Sequence, residues 1–228
     1  MRWHESQEWQ RYLELLAERP ESFQNQGIID IILDEDTIDQ YYEEKQIRLG
    51  VVYESPYSMM IVDLVDERNA DGSEGRIHTY ERQIPTVSKG AVIAVPFYNG
   101  CFVIIKQFRH ALRDSTWSFP RGFGEKGISS RDNLYKELQE EIGIHEISDI
   151  AYLGKVTADS GASGTFADVY SCSVDTPICK YGYEGIEELK IVSEQEMKYL
   201  IHSGDIVDGF TLAAYALYQA VTKNDDVR

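Results

Sequence analysis

Residues 117–144, WSFPRGFGEKGISSRDNLYKELQEEIGI, decide how this chain is read. Within them Glu137, Glu140 and Glu141 are spaced i, i+3 and i+4, which at 3.6 residues per turn puts three carboxylates on one side of a helix. Leu134, Leu138 and Ile142, four apart, form an apolar stripe beside them that is expected to face inward. Ser129 and Asp132 give a start resembling a capping box, so the helix is predicted to open near Ser130. Gly122, Gly124 and Gly127 make the preceding stretch a glycine-rich loop. Ahead of the loop, Trp117-Ser118-Phe119 reads as a short strand closed by Pro120.

Three like charges on one helical face repel one another by a few tenths of a kcal/mol per pair. Lys136 relieves Glu140 at i+4 and Asp132 at i−4, but it lies to one side of the acidic face. A solvated Glu-rich helix is the ordinary use of such a pattern. The succession of strand, glycine loop and capped helix points elsewhere. A hard cation such as Mg²⁺ takes oxygen ligands, few of them from protein and the rest from water and phosphate. Clustered carboxylates beside a loop able to approach a phosphate closely meet that need.

Outward from this stretch, Ala91-Val92-Ile93-Ala94-Val95 and Phe102-Val103-Ile104-Ile105 read as strands joined across Asn99-Gly100, a dipeptide that favours a type I′ hairpin turn. Lys106-Gln107-Phe108-Arg109 ends the second strand. Past the helix, residues 150–156 and 166–174 read as strands around a flexible loop at 159–164. Residues 181–188 form a second Gly- and Glu-containing loop, and 189–192 alternate as a half-buried strand. Ser193 and Glu196 open another helix that stops near Gly204.

Upstream, Trp9, Leu13 and Leu16 mark the apolar side of a helix ended by Pro20. Residues 28–33 are a short apolar run with strand character, and 37–49, with Ile38, Tyr41, Tyr42 and Leu49, suggest a second helix. From Tyr57 to Ile84 two extended segments flank an Asp71-Gly72 turn.

Composition sets limits. The 228 residues suit one domain with an extension, or two small ones. Of the charged groups 22 are basic and 39 acidic, a balance of −17 that argues against nucleic-acid and anionic-membrane partners. The same field repels phosphorylated substrates, so a site for them needs local cations or metal. Cys101, Cys172 and Cys179 lack metal-ligand spacing and read as reduced core thiols, which fits a cytoplasmic compartment. No apolar run reaches the ~18 residues of a membrane span, and no signal-peptide pattern opens the chain.

The central stretch resembles the Nudix hydrolase superfamily. That family's box reads Gly, five residues, Glu, seven residues, then Arg-Glu-hydrophobe-any-Glu-Glu-any-Gly-hydrophobe. Gly122, Glu137, Leu138, Glu140, Glu141, Gly143 and Ile144 fall on it, while Ile128 stands in place of its first Glu and Lys136 in place of its Arg. In the family these two are supporting residues, often paired, so their joint change looks like one lost salt bridge. Glu125 is the nearby replacement carboxylate, and Ile128 is expected to pack under the loop. Residues 57–88 are similar to the sheet arm that the ADP-ribose (ADP-sugar) pyrophosphatase group uses to dimerise. Residues 204–214 are similar to that group's closing Gly-x-Ile-x-Asp-x-x-Thr-x-x-Ala.

The resemblance implies an α+β fold, a Nudix α/β/α sandwich with a mixed sheet over residues 89–228, preceded by an extension over 1–56 and a β-arm over 57–88. It implies hydrolysis of the pyrophosphate bond of ADP-ribose or a related nucleotide-sugar, with Mg²⁺ or Mn²⁺ on Glu137, Glu140 and Glu141, in a homodimer. Arg121 and Gly122 are implied to add a carbonyl to metal and an amide to phosphate. Arg109 is a candidate cation for the substrate and Phe123 a candidate substrate contact. A late-loop Glu is implied as base, and among Glu184, Glu187 and Glu188 the expectation falls on Glu187. Two other readings stay open: a Nudix enzyme for dinucleotides or modified nucleotides, and a non-catalytic domain that binds nucleotide-sugar.

Overall fold

The computed structural model describes residues 2–69, 75–86, 90–125 and 127–225. The chain divides into two compact units, one of residues 1–87 with 159–164, the other of 88–158 with 165–228. The extension and the arm therefore belong to a single unit.

In the first unit helix α1 (Gln7–Glu18) is capped by Ser6, whose side chain accepts from the Trp9 amide. Its buried face is Trp9, Tyr12 and Leu15, with Leu13 and Leu16 only partly covered, so the stripe is turned from the one the sequence suggested. The reason is Tyr12. Its ring stacks on Trp9 and its hydroxyl donates to Asp63, which makes a polar-tipped side chain a core residue. Strand β1 (Ile29–Ile31) and helix α2 (Glu35–Lys45, capped by Asp34) follow. Leu49 is buried beyond the helix, ahead of β2 (Gly50–Glu54), a strand the sequence reading missed. Strands β3 (Ser58–Glu67) and β4 (Arg76–Pro85) pair antiparallel from Ser58↔Pro85 to Glu67↔Arg76. The Asp71-Gly72 turn lies outside the described residues. On its other edge β3 holds β1 at one end and β2 at the other.

The second unit is built on β5 (Ala91–Tyr98) and β6 (Cys101–Arg109). Asn99 and Gly100 both have positive φ, 52° and 78°, as the type I′ turn requires. The two strands pair only next to the turn, at Phe97↔Phe102 and Tyr98↔Cys101. Beyond that they splay, and the gap is filled from both sides. Strand β7 (Asp114–Ser118) pairs with β6, and β8 (Arg121–Phe123) pairs with β5. The start of the glycine loop is therefore strand. Helix α3 (Ser130–Ile142) comes next, with Ser129 accepting from the Asp132 amide and Gly143 closing it at φ 65°. Strands β9 (Ile147–Val156), β10 (Ala167–Val174) and β11 (Ile186–Val192) complete a mixed sheet in the order β11-β6-β5-β10-β9, with β10 parallel to β5. Helix α4 (Glu194–Ser203), capped by Ser193, and α5 (Gly209–Asp225) end the chain.

Alternation along the central strands makes two cores. Val92, Ala94, Val103 and Ile105 meet Leu134, Leu138 and Ile142 of α3 on one face. Ile93, Val95, Phe102 and Ile104 meet Met197 and Leu200 of α4 and Ala214 and Tyr215 of α5 on the other. This is the α/β/α sandwich. No helix among the described residues is long and apolar enough to cross a membrane. The three cysteines are free thiols, and burial pushes Cys172 up to about 12.

Candidate active site

Strand β8 lies where β5 and β6 part, and it carries Arg121 and Gly122 against helix α3. The Arg121 amide donates to Glu141 Oε2 at 2.9 Å. A Cβ on Gly122 would fall 1.9 Å from Glu137 Cδ, so any side chain here would push the Glu137 carboxylate from its place. The loop and the helix are thus fitted to each other through their backbone and their carboxylates.

The apolar stripe of Leu134, Leu138 and Ile142 is fully buried, and it draws Glu141 inward to 1% exposure. Burial, reinforced by the charge of Glu137 and opposed by the Arg121 amide and Arg109, raises Glu141 to about 8. Glu137 is half-buried, and desolvation together with Glu140, Glu184 and Glu125 raises it to about 7. Glu140 faces differently. Its Oε2 accepts from Lys136 Nζ and from the Tyr183 hydroxyl, each at 3.2 Å.

Among the described residues no three acidic, His or Cys side chains already converge as a metal centre. The donor chemistry nevertheless fits a hard divalent cation. Glu141 feels the charge of Glu137, and Glu137 that of Glu140, in a partly dry place, and a cation relieves that cost.

The two departures from the box have a structural answer. Lys136 Nζ sits 2.7 Å from Glu125 Oε1, so loop and helix are tied by a pair displaced three residues from the expected one. Ile128 is 38% exposed, which corrects the expectation that it packs under the loop. With Glu125 holding Lys136, nothing requires Ile128 to be buried. Phe123 is 74% exposed, and its carbonyl accepts from Asn133 Nδ2 at 3.1 Å.

Two arginines stand beside the carboxylates. Arg121 donates to Asp208 Oδ1 at 2.9 Å, and its guanidinium lies 4.7 Å over the Phe210 ring. Arg109 donates to Ser118 Oγ at 3.3 Å, and its buried Nε has no partner. Burial and neighbouring Arg121 hold Arg109 below its ordinary pKa, against the pull of Asp208, Glu141 and Glu184.

Of the late-loop carboxylates, Glu184 is the one whose charge reaches Glu137 and Glu141. It has φ 45° between two positive-φ glycines, Gly182 and Gly185, and its carbonyl accepts from Gln107 Nε2 at 2.9 Å. Such a backbone costs energy for a non-glycine residue and is held here by its surroundings. Glu187, on which the sequence reading settled, accepts from Ser115 Oγ at 2.8 Å and lies 3.9 Å from Lys106. Glu188 also pairs with Lys106, at 3.7 Å.

A mixed sheet covered on both faces, with a carboxylate helix meeting a glycine-bearing strand and two arginines, defines the class of the domain as an α/β/α sandwich with an acidic site at the strand edge. Residues 88–203 match the NUDIX domain, and the chain belongs to the Nudix family. A 38-residue stretch is 47% identical to an RNA pyrophosphohydrolase of Campylobacter jejuni subsp. doylei, covering 17% of this chain and 24% of that protein. The chain thus matches only about a quarter of that relative's length. The crystal structure of an ADP compounds hydrolase is similar at a TM-score of 0.61 and 18% identity, over 77% of this chain and 92% of that one. At that identity the likeness concerns the fold.

Proposed function

We propose that the protein hydrolyses the pyrophosphate bond of ADP-ribose or a related nucleoside diphosphate sugar, giving a nucleoside monophosphate and a sugar phosphate. The observation that carries this reading is the buried Glu141 with half-buried Glu137 set against Arg121 and Gly122, with the partnerless Nε of Arg109 beside them. The name of the similar structure, an ADP compounds hydrolase, supports the substrate class. The tie between Glu125 and Lys136 favours an enzyme over a binding domain, because the loop-to-helix support is replaced rather than lost.

Glu137, Glu140 and Glu141, with the Arg121 carbonyl, would hold Mg²⁺ or Mn²⁺, which neutralises pyrophosphate charge and acidifies a water. Arg109 binds a phosphate oxygen and orients the phosphorus for attack. Glu184 takes the proton from the attacking water, whose oxygen bonds to one phosphorus. The bond from that phosphorus to the bridging oxygen breaks, and the bridging oxygen leaves on the other phosphate. Gly122 keeps side-chain bulk away from Glu137. Residues 57–88 serve assembly of a homodimer in this reading, and light scattering at micromolar concentration is expected to give the dimer mass.

Purified protein tested against ADP-ribose, ADP-sugars and dinucleoside polyphosphates with Mg²⁺ or Mn²⁺ is expected to release AMP from ADP-ribose. EDTA is expected to abolish the release. Binding of ADP-ribose without turnover under any metal would replace this reading with the non-catalytic one.

A further inference from the structure

Asp208 stands at the start of α5, distant in sequence from the carboxylate helix, and both of its oxygens are engaged. Oδ2 accepts from the Thr211 amide at 2.9 Å and from the Thr211 hydroxyl at 2.8 Å, the usual work of a helix-capping Asp. Oδ1 does something a cap does not require: it accepts from Arg121 at 2.9 Å. The pair is well covered, with side-chain exposures of 10% for Asp208 and 22% for Arg121. Thr211 in turn accepts from the Phe119 amide at 3.0 Å. The beginning of α5 therefore grips the segment Phe119–Arg121 twice, by its backbone and by its arginine. Between the two grips the Pro120 carbonyl accepts from the Ala94 amide of β5 at 2.9 Å.

The gripped segment presents the Arg121 amide to Glu141 and the bare Cα of Gly122 to Glu137. We propose that Asp208 is a positioning residue: acting through Arg121, it sets the strand edge on which the Glu141 and Glu137 carboxylates rest. Its charge has a second effect. Arg121 and Arg109 repel each other, and Asp208 with Phe210 keeps the Arg121 guanidinium to one side. Of these two arginines, Arg109 is then the one left to meet a phosphate, a consequence that rests on the function proposed above.

The test uses the full chain and Asp208→Asn, which keeps shape and helix cap but removes the charge that holds Arg121. Hydrogen exchange at the Arg121 amide, followed by NMR without metal or substrate, reads the geometry directly. Exchange is expected to quicken about tenfold in Asp208→Asn, with the amides in the middle of α5 unchanged. Mn²⁺ affinity, measured by calorimetry, is expected to fall about tenfold in Asp208→Asn and in Arg121→Gln, with the double variant no worse than either alone. Asp208→Asn is expected to lower kcat for ADP-ribose more than it raises KM. Arg121 amide exchange within twofold of the parent protein, or losses in Mn²⁺ affinity that multiply in the double variant, overturns the proposal. A parent protein that hydrolyses no nucleotide while its Arg121 amide responds to Asp208→Asn leaves the positioning role standing and defeats the proposed activity.

Discussion

Glu141 is a carboxylate in a nearly dry place, next to a second one. At its raised pKa of about 8, and with Glu137 at about 7, the folded protein without metal binds protons more tightly than the unfolded chain near 4.5. The stabilisation tied to these groups is complete below their unfolded pKa and is lost as pH rises through 7 and 8. In EDTA the melting temperature is therefore expected to fall between about pH 5.5 and about pH 8.5, and Glu141→Gln to flatten most of that fall. A melting temperature that rises over this range in EDTA would show the two groups to be ionised without cost. In activity, Glu140→Gln and Glu141→Gln are each expected to lower turnover by at least about a hundredfold, as loss of electrostatic stabilisation does. Ile128 behaves differently. Being partly exposed, with Lys136 already engaged by Glu125, Ile128→Glu is expected to change stability by less than about 0.5 kcal/mol, whereas Glu125→Gln lowers turnover. Thermal melts and initial rates on the two variants decide which carboxylate position holds Lys136.

At the scale of elements, the fit between β8 and α3 is the most demanding contact in the site. Gly122→Ala is expected to leave the sheet folded but displace the Glu137 carboxylate, lowering turnover at least about a hundredfold. Circular dichroism beside initial rates separates this outcome from unfolding. Leu138→Ala beneath the same helix acts on stability instead, at about 2–5 kcal/mol. The contrast also explains what the sequence disclosed. The Asn99-Gly100 hairpin and the helices begun by Ser129 and Ser193 were legible because turn chemistry and capping are written within a few residues. Glu137, Glu140 and Glu141 were legible through helical spacing. Strand β8 was not, because its glycines read as loop and its partner β5 lies some thirty residues earlier. Nor was Glu184 separable from Glu187, since the sequence reads both as one short loop, whereas Glu187 lies on β11. The pairing of Glu187 with Ser115 and Lys106, and the reach of the Glu184 charge to Glu137 and Glu141, tell them apart.

For the molecule as a whole, a net charge of −17 leaves each unit dependent on well-made cores and on the few cations it has. The first unit commits one of them to its interior. Arg82 donates to Asp63 and to the Ser22 carbonyl, the latter at 2.8 Å, and lies 4.9 Å over the Phe23 ring. Asp63, 2% exposed, also accepts from the Tyr12 hydroxyl. Helix α1, the turn after it and strands β3 and β4 therefore meet at one carboxylate. That is why residues the sequence divided between extension and arm make one core. Replacing a member of such a buried network strands the others without partners, which costs about 3–5 kcal/mol. Asp63→Ala is expected to lower the stability of the first unit by that order. Because Asp63 lies in a unit with its own core, calorimetry on the variant is expected to resolve a separate early transition, breaking two-state behaviour. Amides of α1 and β3 should lose protection from hydrogen exchange at the same time, while those of α3 and β5 keep theirs. Equal loss of protection in both sets would mean that the two cores unfold as one.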